Sequence, residues 1–327
     1  MSRYLVTGAA GFIASVVAEK LLEDGAEVVG IDNLNDAYDP RIKEHRLKKL
    51  QGYPGFSFLK LDVSDRGLLE DDRLLGRDFK AVINLAARAG VRDSLKDPWV
   101  YLDTNATGTL NLLELCQREG IGKFLLASTA GVYGEGAVLP TSETEPSDHP
   151  LQVYAASKKS AESLAHAYHY LYDIDVTIFR YFNVYGPAGR PDSVMFRFVK
   201  WIQEGMPVHL NGDGSQSRGF TYVDDIARGT IAGLKPVGYE IINLGGHELL
   251  SINDLIEILE GKIGKEAEIV QHPRHPADLL ASQADISKAK ALLGWEPSVS
   301  LDAGIQRAVD WYQQEREWAK DILTQEV

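Results

Sequence analysis

Cysteine is almost missing from this chain of 327 residues, where Cys116 stands alone. One thiol cannot close an internal disulfide, and no cysteine–histidine spacing of the zinc-binding kind is present, so no metal is expected. Positive charge is also in short supply: 34 Lys and Arg residues face 47 Asp and Glu, a net charge of -13. That balance speaks against generic nucleic-acid binding. No apolar run approaches the ~18 residues of a membrane span. Strand-like Tyr4-Leu5-Val6 follows Met1 too closely for a signal peptide. Repeats and low-complexity tracts are missing as well. The expectation is a cytoplasmic protein with neither a membrane nor a nucleic acid as partner.

What is present is a regular alternation. Apolar runs at Arg3–Thr7, Glu27–Ile31, Phe56–Leu61, Ala81–Leu85, Phe124–Ser128 and Val176–Tyr181 read as strands. Helical spacing fills Phe12–Asp24, Ser64–Leu75, Val100–Glu119 and Ala155–Tyr172. Strand–helix alternation of this kind predicts an α/β fold, a doubly wound parallel sheet of the Rossmann type covered on both faces. Past Tyr185 the texture becomes irregular, with helices expected at Ser193–Glu204, Ile252–Lys262 and Asp302–Glu315. Residues 181–327 read as a smaller C-terminal α/β lid that binds substrate over residues 1–180. Ile241-Ile242-Asn243-Leu244 is strand-like, so a segment near 220–246 is expected to return to the main sheet. The basic run Arg41 to Lys49, which includes Glu44 and His45, reads as a solvated helix face.

Gly8, Ala10, Gly11, Phe12 and Ile13 form the turn that leaves the first strand and opens the first helix. Gly8 permits a tight turn, and Gly11 lets the backbone approach a pyrophosphate at the helix N-terminus, while Ala14 is small enough to pack helix on strand. Asp32 ends the second strand 21 residues beyond Gly11, the spacing of a carboxylate that accepts from both adenosine ribose hydroxyls. It would repel a 2′-phosphate, so NAD is favoured over NADP. Asp62 and Val63 follow the third strand, where a polar side chain meets the adenine edge. Leu85, Ala86 and Ala87 follow the fourth, and their small side chains allow close approach to the middle of the cofactor.

Tyr154 and Lys158 are four apart, on one face of a helix that follows a strand ending in Ser128-Thr129. With these residues on the page, the chain resembles the extended short-chain dehydrogenase/reductase family, and within it the sugar-nucleotide epimerases. The likeness spans nearly the whole chain and rests on Thr7–Ile13, Asp32-Asn33, Asn84–Ala87, Ser128–Gly134, Tyr154–Lys158, Arg180–Pro187 and Arg218–Asp225. It implies that Tyr154 is the base, Lys158 the cation that lowers its pKa and Thr129 its hydroxyl partner. It implies further cofactor contacts at Asn33, Asn105, Ser128 and Tyr181, and a homodimer through the helices near Val100–Glu119 and Ala155–Tyr172. A tyrosine near pKa 10 is a poor base at neutral pH, and lowering it to about 7 is worth about 4 kcal/mol. Lys158 and a positive nicotinamide ring are the expected sources.

Dehydratases of the family carry Asp-Glu after that threonine, and decarboxylases a glutamate two positions after it. Here Ala130 and Gly131 stand there, so return of the hydride to the other face of a 4-keto sugar is the simplest outcome, a 4-epimerisation. The resemblance places substrate contacts at Asn183, Arg218, Arg274 and Asp278; Arg92 is added by its place after the fourth strand, as a contact to cofactor or substrate phosphate or as a structural residue. Gly189-Arg190-Pro191-Asp192 followed by Met195-Phe196 is similar to the UDP-glucuronate 4-epimerases, in which the loop arginine lies near the uronate carboxylate. The expected substrate pair is therefore UDP-glucuronate and UDP-galacturonate. The alternatives left open are UDP-glucose or an N-acetylhexosamine as substrate, a net dehydrogenase, and a non-catalytic NAD sensor.

Overall fold

The computed structural model describes residues 1–246, 248–274 and 279–324. Seven strands form one sheet: β1 (Arg3–Thr7), β2 (Glu27–Asp32), β3 (Phe56–Lys60), β4 (Ala81–Asn84), β5 (Lys123–Thr129), β6 (Asp175–Tyr181) and a last strand, Tyr239–Leu244. From edge to edge they run β3, β2, β1, β4, β5, β6, Tyr239–Leu244. All six pairings are parallel. The chain winds outward from β1 to β3, then crosses back to β4, so the winding reverses between β1 and β4. A crevice opens there at the strands' carboxyl ends.

Both faces are covered, which is why the strands are apolar without alternation. Leu5, Phe124, Leu126 and Ile178 pack with Leu112, Leu113 and Ala161 of helices Gly108–Glu119 and Val153–Tyr172. Val6, Ile83, Leu125 and Phe179 pack on the opposite side with Val17, Ala18 and Ile226, from α1 (Phe12–Glu23) and helix Val223–Ala232. A second core gathers Phe196, Phe198, Trp201, Leu255, Ile305 and Tyr312 from helices Val194–Glu204, Ile252–Ile263 and Leu301–Gln314. Short strands accompany it, including Val208–Asn211 against Ile269–His272. Among the described residues no helix is long and apolar enough to cross a membrane.

Four expectations need correction. The crossover Ser64–Leu75 holds only a 3-10 turn, Arg66–Glu70, because Asp65 and Asp71 turn the backbone locally by accepting from Gly67 and Arg73 amides. The helix expected over Val100–Glu119 begins earlier, at Pro98, and carries a π-helical segment at Leu102–Thr107 before settling at Gly108. Helix Val223–Ala232 lies within a stretch read as irregular; its Gly229 sits where a Cβ would strike Leu244 and Trp295, so close packing masks the helical signal. Finally, α2 (Arg41–Leu50) is not a solvated face throughout, since Lys43 and Arg46 are buried with Ile42 and Leu47.

Candidate active site

The site begins at the turn after β1. Gly8 has φ +69, and a Cβ there would lie 2.9 Å from the Ala86 backbone. Only glycine supplies that conformation and that proximity without strain. At Gly11 a Cβ would lie 2.7 Å from the Gly8 carbonyl. Gly11 also stands at the N-cap of α1 with no side-chain cap, leaving first-turn N–H groups available to an anion. The Thr7 hydroxyl, which donates to Asn84 Oδ1 at 2.7 Å and accepts from the Leu85 and Ala86 amides, ties the ends of β1 and β4 together.

Asp32 is buried at the end of β2. Its carboxylate accepts from the Ala10 amide at 3.1 Å and the Leu34 amide at 2.8 Å, so it is held rigidly beside the glycine turn. Asp62, beyond β3, accepts from Asn33 Nδ2 and from the Ser64 amide and hydroxyl. Burial raises the Asp62 pKa, but these hydrogen bonds outweigh it and hold the carboxyl below its ordinary value. A fixed acid at the end of β2, a backbone cradle a Cβ would fill, and alanines after β4 together fit a dinucleotide.

Thr129 ends β5, and helix Val153–Tyr172 brings Tyr154 and Lys158 beside it. Thr129 and Tyr154 line the same cleft, and Lys158 Nζ donates to the Ala127 carbonyl at 2.9 Å. Burial pushes the Tyr154 phenol up, and Arg190 and Thr129 pull it partly back. Lys158, expected to be the chief lowering charge, gives one of its three N–H bonds to Ala127 and lines the cleft with Tyr154. Burial lowers Lys158 itself to about 8, with the Glu162 carboxylate opposing.

One cleft of about 550 Å³ collects the predicted Gly8, Gly11, Phe12, Ile13, Asp32, Asn33, Asp62, Val63, Leu85, Ala86, Ala87, Ser128, Thr129, Tyr154, Lys158, Tyr181, Asn183 and Arg190. Others lie elsewhere. Ala10 is fully buried, with its amide given to Asp32. Asn105 stands behind the cleft wall, bonded to both the amide and carbonyl of Arg88 and to Ser157. It anchors the loop after β4 to the tyrosine-bearing helix, which is where the π-helical segment places it. Met195 and Phe196 are buried in the second core, because the helix they begin turns that face inward. Arg218 donates to the Ser217, Leu279 and Leu280 carbonyls. Arg274 lines a separate cavity with Asn211, Gln216 and His272. Arg92 is not among the residues lining the main cleft, and Asp278 lies outside the described residues.

Sequence reasoning missed two features. Lys43 faces the cleft, donates to Asn35, and is lowered to about 8 by burial; it was masked by the basic run around it. Glu162 sits one turn beyond Lys158 and binds Arg180 of β6 at 2.8 Å, each side chain 2% exposed. It also accepts from Ser128 Oγ at 2.6 Å. A carboxylate four residues past the lysine on the apolar side of the helix was the available signal.

Comparison with known proteins places this geometry in context. The NAD dependent epimerase/dehydratase family matches residues 4–245. The chain is 53% identical over 323 residues to the UDP-glucuronate 4-epimerase of Thermodesulfobacterium geofontis, covering 98% of this chain and 99% of that one. The crystal structure of UDP-glucuronic acid 4-epimerase from Bacillus cereus, in complex with UDP-glucuronic acid and NAD, is similar at a TM-score of 0.88 and 39% identity. The match covers 96% of this chain and 99% of that chain. UDP-glucose 4-epimerase from Thermotoga maritima, solved with UDP-glucose, is similar at a TM-score of 0.89 and 34% identity, over 96% and 99% of the two chains. With a glycine turn, a buried acid at the end of β2 and a Thr–Tyr–Lys group in one cleft, this chain belongs to the NAD-dependent epimerase/dehydratase family.

Proposed function

We propose that the protein is an NAD-dependent UDP-sugar 4-epimerase that interconverts UDP-glucuronate and UDP-galacturonate. The observation that carries this reading is Arg190. It lines the same cleft as Thr129 and Tyr154 and is close enough to favour the Tyr154 phenolate. Arg190 Nε donates to Asp192 Oδ1 at 3.0 Å and Nη2 to Asp192 Oδ2; so held at the reacting end of the cleft, the guanidinium offers its Nη1 side to a carboxylate on the sugar. The curated relative and the B. cereus structure described above support the same substrate.

A bound NAD would supply the hydride acceptor, and then donor, that oxidation and reduction at C4 of the sugar require. The chain's own residues handle the proton and the position. Tyr154 removes the proton of the C4 hydroxyl and later returns it, with Thr129 holding the phenol oxygen. Lys158, mostly charged at pH 7 and lining the same cleft, is the cation assigned to favour the phenolate once cofactor and substrate are in place. Gly8 and Gly11 hold the pyrophosphate, Asp32 the ribose, and Asp62 and Val63 the adenine side. Ala130 and Gly131 leave no acid beside Thr129 to expel water, which favours epimerisation over dehydration.

We also read the protein as a cytoplasmic homodimer. The single thiol, Cys116, is buried and suits a reducing compartment. Leu95, Trp99 and Tyr170 are exposed beside the helices expected to pair. A second substrate reading, UDP-glucose, is favoured by Asn183 in the cleft and by the T. maritima likeness.

The test is to incubate the purified protein with UDP-glucuronate, adding no coenzyme, and to resolve the products by chromatography and proton NMR. Formation of UDP-galacturonate is expected. No product even with NAD added would reject the uronate reading and make UDP-glucose the next substrate.

A further inference from the structure

Arg46 belongs to the basic run of α2, yet it is 4% exposed. A guanidinium has five N–H bonds, and the structure gives Arg46 five hydrogen bonds. Nε donates to the Ala188 carbonyl at 3.0 Å, and Nη2 to the carbonyls of Ala188 at 2.7 Å and Gly189 at 3.0 Å. Nη1 donates to the Ala10 carbonyl at 3.1 Å and the Tyr38 hydroxyl at 2.9 Å. Each of these acceptors is a neutral oxygen, so what these bonds accomplish is the fixing of backbone.

Two loops meet at this side chain. Ala10 lies in the glycine turn, and its amide is held by Asp32. Ala188 and Gly189 immediately precede Arg190. Ala188 has φ 49, a left-handed conformation that costs a residue with a Cβ; the two hydrogen bonds its carbonyl accepts from Arg46 offset that cost. On the other side Ser193 donates its amide and hydroxyl to the Arg190 carbonyl. The ring of Tyr38 lies between the two guanidiniums, 5.7 Å from Arg46 Cζ and 6.0 Å from Arg190 Cζ.

We propose that Arg46 is a positioning residue that couples the dinucleotide turn to the Arg190 loop, so that the cofactor and the sugar's charged end are set in place together. This rests on the reading of Arg190 as the uronate contact. Lysine keeps the charge but has no fork to span Ala10, Ala188 and Gly189.

The test is a double-mutant cycle on the NAD-loaded protein, with Arg46→Lys, Arg190→Ala and the pair, read as KM and kcat for UDP-glucuronate. Arg46→Lys is expected to raise KM about tenfold alone and less than about twofold once Arg190 is gone. Should Arg46→Lys fail to fold, Tyr38→Phe removes one of the five partners and keeps the charge; a smaller rise in KM that vanishes in the Arg190→Ala background is then expected. Equal losses in both backgrounds overturn the coupling and leave Arg46 a plain structural residue. Wild-type protein that leaves UDP-glucuronate unconverted removes the substrate reading and this inference together. Wild-type conversion with an additive cycle removes the inference alone.

Discussion

At the scale of single residues, chemistry and stability are carried by different groups on one helix. Tyr154 is the proposed proton-transfer group, so Tyr154→Phe is expected to lower kcat by about 10²- to 10⁴-fold. NAD content and the KM for UDP-glucuronate should change little, as steady-state kinetics and cofactor released by denaturation would report. Glu162 is different: it supports the buried Arg180 guanidinium and the Ser128 hydroxyl. Glu162→Gln leaves a buried cation without its counter-charge, a change worth about 3 kcal/mol or more. A lowered denaturant midpoint is expected, with further lowering of Lys158, whose charged form Glu162 favours. An unchanged midpoint would mean Arg180 finds compensation elsewhere, for instance at the Tyr133 ring, 4.7 Å from its Cζ.

At the scale of elements, the site depends on how strands end. The β1 turn and the β4 end share one contact, Gly8 against the Ala86 backbone, and one hydroxyl, Thr7. Gly8→Ala must adopt φ near +69 and also displace Ala86. The left-handed conformation alone costs about 1–2 kcal/mol. A lower melting temperature and NAD-depleted protein after purification are expected together, because the same displacement opens the cradle. The π-helical segment at Leu102–Thr107 belongs to this scale too. It lets the buried Asn105 reach the Arg88 backbone on one side and Ser157 on the other. A regular helix over Val100–Glu119, as periodicity predicts, gives no reason for Asn105 to leave its own helix.

At the scale of the whole molecule, buried carboxylates join distant parts of the chain. Asp39 accepts from the Leu323 amide near the C-terminus, and Asp225 from the Ser298 and Val299 amides. Burial raises each of Asp39, Asp225 and Glu162, but hydrogen bonds and nearby arginines outweigh it, so all three are held below their ordinary values. Their contribution to stability is therefore complete above about pH 4.5 and is lost as pH falls through the lowered values. Lys43 and Lys158 act in another window. With folded values of about 8 against 10.5 unfolded, their burial costs stability below about 8, and that cost fades as pH rises toward 10.5. Melting temperature measured from pH 3 to pH 10 should fall steeply on the acid side and be shallower there for Glu162→Gln. A wild-type acid limb no steeper than that of Glu162→Gln would remove Glu162 from this account.

The sequence by itself determined the strand ends and which residue types stand at them. The Gly8–Gly11 turn, Asp32, the Tyr154–Lys158 spacing and Ser128-Thr129 were legible because they are local: each is set by neighbours within a few positions along the chain. The parallel sheet was legible for the same reason, as an alternation of periods. Which of the distant residues join the cleft was decided only by the tertiary structure. Met195 and Phe196 face the second core, and Arg218 is given to backbone carbonyls, because helix orientation and loop closure carry no signature in linear spacing. Lys43 and Arg46 look like any solvated pair within a basic run. The burial of Arg46 follows from a loop far along the chain, Ala188 and Gly189, whose carbonyls need donors once folding removes water.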